Sequence, residues 1–344
     1  MMMMVSNEER GGAMIDLLPE GCIANVVSLT SPGDACRLSL VASLFRSAAE
    51  SDGVWETFLP SDYMDIIGRA VDPTPSSPWS KKQLYLWLSD NSLIIDNGTK
   101  NFIFCNNSIM SYFGRLVVRT ESDAHITSAQ VGSSSVMIIS FSLEKWSGKK
   151  CYMLAARDLS IVWGDTPQYW KWTSLSESRF SEVAELISVC WLEIHGKIKT
   201  SMLSPNTTYA AYLVFKSTEE AYGFEYQPAE VTVGITGGES ETQTVYLDPD
   251  TGHRQQFQII PRPGGMFNRI HTRMLRPFAS ISRQSDSRYP KARGDGWMEI
   301  QLGEYFNKDG EDGELEMSLR EVRGGNWKSG LIVHGIDIRP KENK

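Results

Sequence analysis

The apolar period of this 344-residue chain changes partway along, and that change limits the folds open to it. Up to about residue 92 apolar side chains recur at helical spacing. Beyond it they alternate. In residues 190–198, Leu192, Ile194 and Ile198 face one way while Glu193, His195 and Lys197 face the other. Such period-two alternation marks a strand buried on one face only. The runs YAAYLVF (209–215), WMEIQL (297–302), ELEMSL (314–319) and LIVHGIDI (331–338) also read as strands. Turn-forming stretches separate them: SPNTT (204–208), NKDGEDG (307–313) and GGN (324–326). Several half-buried strands joined by such turns predict an all-β antiparallel sandwich. One helix is expected to interrupt it near residues 181–187, with Val183, Leu186 and Ile187 on a face.

Residues 14–60 predict three short helices. Pro19 suits a first turn, Glu20 complements the helix dipole, and Ile23, Val26 and Val27 follow helical spacing. TSPGD (30–34) breaks the first helix, and Asp34 is expected to cap a second carrying Leu38, Val41, Ala42 and Phe45 on one face. A third carries Val54, Trp55, Phe58 and Leu59 and stops at Pro60. DPTPSSP (72–78) is the best linker, and SKKQ (80–83) predicts a capping box opening a short helix with Leu84, Trp87 and Leu88 on one face. The expected organisation is a disordered 1–13, a helical domain over 14–60, a linker and short helix over 61–92, and the β domain over 93–340. Residues 102–140 lack a sustained period, and 236–295, rich in Gly, Pro, Arg and Ser, read as a long loop region.

A net charge of −8 and a pI near 5.3 argue against nucleic acid or an anionic membrane as the main partner. No apolar run approaches the ~20 residues of a membrane span. Five cysteines at 22, 36, 105, 151 and 190 lack framework spacing and read as buried free thiols of a reducing compartment. With no secretion signal, the sequons at Asn97, Asn106 and Asn206 read as chance matches, and the expected location is the nucleus and cytoplasm. His125, His195, His253, His271 and His334 are scattered, without a metal-ligand or nucleophile pattern, and no phosphate loop occurs. No cofactor, no metal and no catalytic residue is expected; the acidic turn near Asp309 reads as solvated.

The strongest candidate for binding is residues 151–172, where Trp163, Trp170 and Trp172 crowd around a turn. An indole is costly to leave in water, so each ring either anchors a core or offers a flat platform. Core or sheet packing is the favoured reading for Trp172 and Trp191. Asp165 and Gln168, within the turn, can supply hydrogen bonds.

The blocks 14–60 (MIDLLPEGCIANVVSLTSPGDACRLSLVASLFRSAAESDGVWETFLP), 148–172 (GKKCYMLAARDLSIVWGDTPQYWKW), 182–216, 294–306 (GDGWMEIQLGEYF) and 327–340 (WKSGLIVHGIDIRP) carry a family resemblance. The first resembles an F-box; the others are similar to the phloem protein 2, or Nictaba-like, lectin domain. Together they resemble plant F-box proteins of the phloem protein 2 B type. The resemblance implies a three-helix F-box ahead of a jelly-roll-like lectin sandwich. It implies an adaptor of an SCF-type ubiquitin ligase, with an SKP1-like protein and a cullin scaffold as partners and a glycan, glycoprotein or other protein as target. It places Trp163 and Trp170 at the positions lectins of this family use for sugar. Leu17, Leu18, Pro19, Ile23, Val26, Val27, Leu38, Val41 and Trp55 exceed what so small a helical unit can bury, so they are the expected SKP1 contacts. For any one of them core and contact stay open, as does a carbohydrate-binding lectin acting without the ligase. Residues 102–140 depart from the family pattern and read as an insertion or a retained intron.

Overall fold

A computed structural model describes residues 18–71, 79–96, 103–105, 108–110, 137–225, 227–238, 240–248, 288–308 and 312–341. The chain divides into two compact units, Met1–Leu154 and Ala155–Lys344. Leu17, the linker over 72–78, most of 102–140 and residues 249–287 lie outside the described residues, together with what was expected of them.

In the first unit, four helices occupy the segment where three are expected: α1 (Glu20–Ser28), α2 (Pro32–Leu38), α3 (Ser43–Glu50) and α4 (Asp52–Phe58). The second expected helix splits because the chain turns at 39–42. The Ser39 hydroxyl donates to Cys36 O at 2.6 Å, and Ala42 takes extended dihedrals to start α3. The α2 cap is Ser31, not Asp34. Its Oγ accepts from Asp34 N at 3.1 Å and donates to Asp34 Oδ2 at 2.8 Å. The aspartate is thereby the third-position partner of the cap, and these bonds, with that to Arg37, lower its pKa. Helices α5 (Tyr63–Gly68) and α6 (Lys81–Asp90) follow, and α6 opens on the capping box of Ser80 and Gln83.

The core of this unit joins α1 and α4 to α6. Ile23, Val27, Val54, Trp55, Tyr85 and Leu88 are buried, and Trp55 lies 5.1 Å from Tyr85 between ring centroids. Strands β1 (Leu93–Asp96), β4 (Ile138–Leu143) and β5 (Lys150–Ala155) pair antiparallel in the order β1-β4-β5; β2 (Ile103–Cys105) and β3 (Ser108–Met110) form a separate hairpin. The β4–β5 turn is tied to the helices. Tyr85 Oη donates to the carbonyl of Lys145 at 3.1 Å, and Gly148 sits at φ +71 where a Cβ would lie 2.8 Å from Phe58 O. Only glycine meets both conditions.

The second unit is an antiparallel pair of sheets. One runs β7 (Trp170–Thr173), β8 (Val183–Leu186), β16 (Ser329–Pro340), β10 (Thr207–Tyr222), β14 (Met298–Asn307) and β13 (Lys291–Ala292). The other runs β12 (Ser240–Tyr246), β11 (Pro228–Ile235), β15 (Glu314–Glu321), β9 (Leu192–Lys199) and β6 (Ser160–Ile161). The predicted alternation holds on β9: Leu192, Ile194 and Ile198 are buried, while Glu193, His195 and Lys197 are not. This architecture fits a β-sandwich lectin domain. The helix expected near 181–187 is instead strand β8. Its backbone pairs with β7 on one side and β16 on the other, and Val183, Ala184 and Leu186 are all buried. Val183, Leu186 and Ile187 fall at helical spacing, but the two flanking strands decide the outcome, and Ile187 is left exposed.

Inside this sandwich His334 stacks on Trp297, centroids 4.2 Å apart at 21°, with Phe180 edge-on at 5.5 Å. Burial, reinforced by the Arg179 charge, pushes its pKa from 6.5 down to about 4. The folded state therefore disfavours a proton that the unfolded chain accepts. That stability is fully present above about pH 6.5 and is lost as pH falls toward 4, about 3 kcal/mol in all. Denaturant unfolding at pH 7.5 and pH 4 should show a drop in stability that is smaller by about this amount in His334→Phe. An equal drop in both proteins would contradict the assignment.

Candidate functional site

Two surfaces hold the residues singled out by sequence, one in each unit. On α1 the burial separates exposed apolar residues from core. Ile23 and Val27 are buried, whereas Leu18, Pro19, Cys22 and Val26 are exposed and Leu29 is 81% exposed. Positions 18, 22, 26 and 29 follow i, i+4, i+8, i+11, which lines up one face of the helix and its flanks. Leu40, at 79%, and Val41 stand exposed in the loop between α2 and α3, while Leu38 is half-buried. Of the nine expected SKP1 contacts, then, Leu18, Pro19, Val26 and Val41 are exposed. Ile23, Val27 and Trp55 are core, because the unit needs them to join α1 to α4. Cys22, Leu29 and Leu40 are exposed beside them and were not among the sequence candidates, although the 22/26/29 spacing was there to be read.

The second surface is the corner where β6 leads to β7. Three successive turns build it: Gly164 N–H donates to Ile161 O at 2.9 Å, Thr166 N–H to Trp163 O at 2.9 Å, and Tyr169 N–H to Thr166 O at 2.9 Å. A Cβ on Gly164 would meet Ile161 O at 3.0 Å, so the first turn is tight. Trp163 occupies the left-handed region at φ +59 and is 44% exposed. For an L-residue that backbone costs roughly 1–2 kcal/mol, and such strain concentrates at functional sites. Its ring lies against Tyr169, centroids 5.2 Å apart at 38°. Asp165 and Gln168 are both exposed in the same turn.

The other indoles divide differently from expectation. Trp170 is only 2% exposed on β7 and leaves no face for a ligand; the strand needs it in the core. Trp172 braces the corner: its Nε1 donates to Gly164 O at 3.0 Å, and the Arg157 guanidinium sits 3.8 Å over its ring. Trp191, expected in the core or sheet, is 41% exposed. It precedes β9 by one residue, where the indole is outside the sandwich. Its Nε1 donates to Glu193 Oε2 at 2.8 Å. Glu193 Oε1 is 2.8 Å from His195 Nε2 and 3.2 Å from Arg320 Nε, and His195 Nδ1 is 3.3 Å from Glu316 Oε1. Burial pushes the Glu193 pKa up, but the bonds from Trp191 and His195 and the Arg320 charge outweigh it, and the carboxyl stays below its ordinary range.

Among the described residues no group of three His, Cys, Asp or Glu is placed to hold a metal ion, and no helix is long and apolar enough to cross a membrane. What the two surfaces offer is binding: an apolar helix face in one unit and exposed aromatic rings beside fixed polar groups in the other.

Comparison with known proteins shows the family. The phloem protein 2 family model matches residues 149–340. Three Arabidopsis thaliana relatives align over nearly the whole chain. F-box protein PP2-B1 is 38% identical, covering 95% of this chain and 90% of its own length. F-box protein PP2-B13 is 40% identical, covering 94% and 98%, and F-box protein VBF is 39% identical, covering 94% and 99%. Against solved structures the overlap is slight: the galactotriose complex of TmCBM61 is 10% identical with a TM-score of 0.25, covering 53% of this chain and 87% of that one, too little to define a fold or a ligand. Fold and sequence together define an F-box adaptor with a lectin-like domain. The chain belongs to the plant F-box proteins of the phloem protein 2 B type.

Proposed function

We propose that this chain is the target-selecting subunit of an SCF-type ubiquitin ligase, acting in the nucleus and cytoplasm. The first unit docks an SKP1-like protein, which links it to the cullin scaffold, and the second reads glycan on a protein target. One observation carries the docking half: α1 keeps Leu18, Cys22, Val26 and Leu29 in water although Ile23, Val27, Val54 and Trp55 already fill the core beneath it. An apolar stripe left over from a filled core is what a partner helix covers. The reading half rests on Trp163, held exposed in a strained backbone beside Tyr169, Asp165 and Gln168; an indole face stacks on the apolar face of a pyranose while polar groups fix its hydroxyls.

Affinity purification from plant cells under proteasome inhibition tests the whole reading. The full chain should bring down an SKP1-like protein and cullin together with ubiquitinated targets. Recovery of glycan-bearing proteins with no SKP1-like protein would favour a lectin acting without the ligase.

A further inference from the structure

The corner at Trp163 continues onto the outer face of the β9–β15 sheet. Val162 N–H donates to Glu193 O at 3.0 Å, which joins the start of the Trp163 loop to the strand that Trp191 leads into. Trp163 is one residue from that bond and Trp191 two, so their backbones lie within roughly 15 Å even if fully extended.

Trp191 is exposed yet fixed. Its indole N–H is committed to Glu193, and Glu193 is itself held by His195 and Arg320. The preceding residue is held too, since the buried ammonium of Lys328 donates to Cys190 O at 3.2 Å and the Lys328 and Val189 backbones bond reciprocally at 2.8 and 3.0 Å. An aromatic plate with little rotamer freedom loses little entropy on binding, which separates a preorganised contact from an incidental exposed side chain. Around it stand hydrogen-bonding side chains: the carboxylates of Glu193 and Glu316, the His195 imidazole and the half-exposed guanidinium of Arg320. Paired acceptors and donors of this kind suit the hydroxyls of a neutral sugar ring, each of which both gives and takes a hydrogen bond.

From this geometry we infer that Trp191, with Glu193, His195 and Arg320, forms a second contact for a pyranose, so that the protein reads an oligosaccharide with one ring at Trp163 and a further ring at Trp191. The inference rests on the sugar-reading function proposed for Trp163. A glycan long enough to touch both indoles gains a second stacking contact, so Trp191 adds most to the affinity of longer glycans.

The test is a glycan array of uncharged mono- to hexasaccharides probed with the full chain, followed by titration of the strongest hits. Trp191→Ala should weaken the longest glycans at least tenfold and monosaccharides far less. Trp191→Phe, which keeps an aromatic face, should restore most of the loss. Trp163→Ala should weaken every length, and so should Trp163→Gly, which relaxes the backbone at φ +59 and excludes misfolding as the cause. Unchanged binding of long glycans by Trp191→Ala, with the Trp163 effect intact, would overturn the second contact and leave the first reading standing. No glycan binding by the unaltered chain would overturn both.

Discussion

Replacing Lys328 with methionine is expected to destabilise the sandwich by about 3–5 kcal/mol. Lys328 is 0% exposed and its ammonium is paired with the buried Glu321, with further bonds to Asn326 O at 2.7 Å and Cys190 O at 3.2 Å. Burial alone pushes the lysine pKa down. Removing the cation leaves the Glu321 carboxylate in the interior without its counter-charge, and that penalty exceeds what the pair itself contributes. A double change, Lys328→Met with Glu321→Gln, should recover much of the loss because no buried charge remains. Denaturant unfolding of the three proteins is the check; a double variant no better than the single one would place the cost in packing instead.

The second large effect is at Trp55. Its side chain is 0% exposed, its Nε1 donates to Ala49 O at 2.6 Å, and its ring meets Phe58 edge-on at 5.6 Å and Tyr85 at 5.1 Å. Trp55→Ala should destabilise the helical unit by about 3–5 kcal/mol, through lost burial, the cavity left and the abandoned carbonyl. Trp55→Phe should cost less, since much of the packing survives. This separates a core role from the contact role that the family resemblance suggests. Were Trp55 a contact, the alanine variant would unfold like the unaltered protein and lose only partner affinity. Thermal unfolding beside a binding titration distinguishes the two.

The residues that sequence reads well and those it reads poorly differ in burial geometry. Alternation on β9 was legible because one face of that strand is covered and the other is wet. Strand β8 was not, because Val183, Leu186 and Ile187 fall at helical spacing while the pairing with β7 and β16 that makes it a strand is non-local. The capping box at Ser80 was legible from four residues, as its chemistry is local. The split of the second helix was not, since it turns on the Ser39 hydroxyl bonding back to Cys36 O, which the apolar spacing does not announce. For the indoles, sequence supplies the cluster and not the direction of any ring. Trp163 faces solvent because its backbone adopts φ +59, a conformation no residue pattern announces. Trp170 and Trp191 exchange their expected places, one on a covered strand and the other outside the sheet. On α1 both sets of apolar residues were visible, but 23/27 and 22/26/29 are adjacent stripes, and only the packing against α4 tells which is spent inside the unit.

The central claim is that the exposed α1 stripe is a docking face for an SKP1-like protein. The most direct measurement is the affinity of a purified plant SKP1-like protein for the full chain and for a variant carrying Val26→Asp and Leu29→Asp, with thermal unfolding run on both. Because both positions already face water, the variant should unfold like the unaltered protein, yet bind at least about 100-fold more weakly, about 2.7 kcal/mol, since a covered carboxylate would lack a partner. Equal affinity of the two proteins, or no affinity of the unaltered chain, would contradict the account.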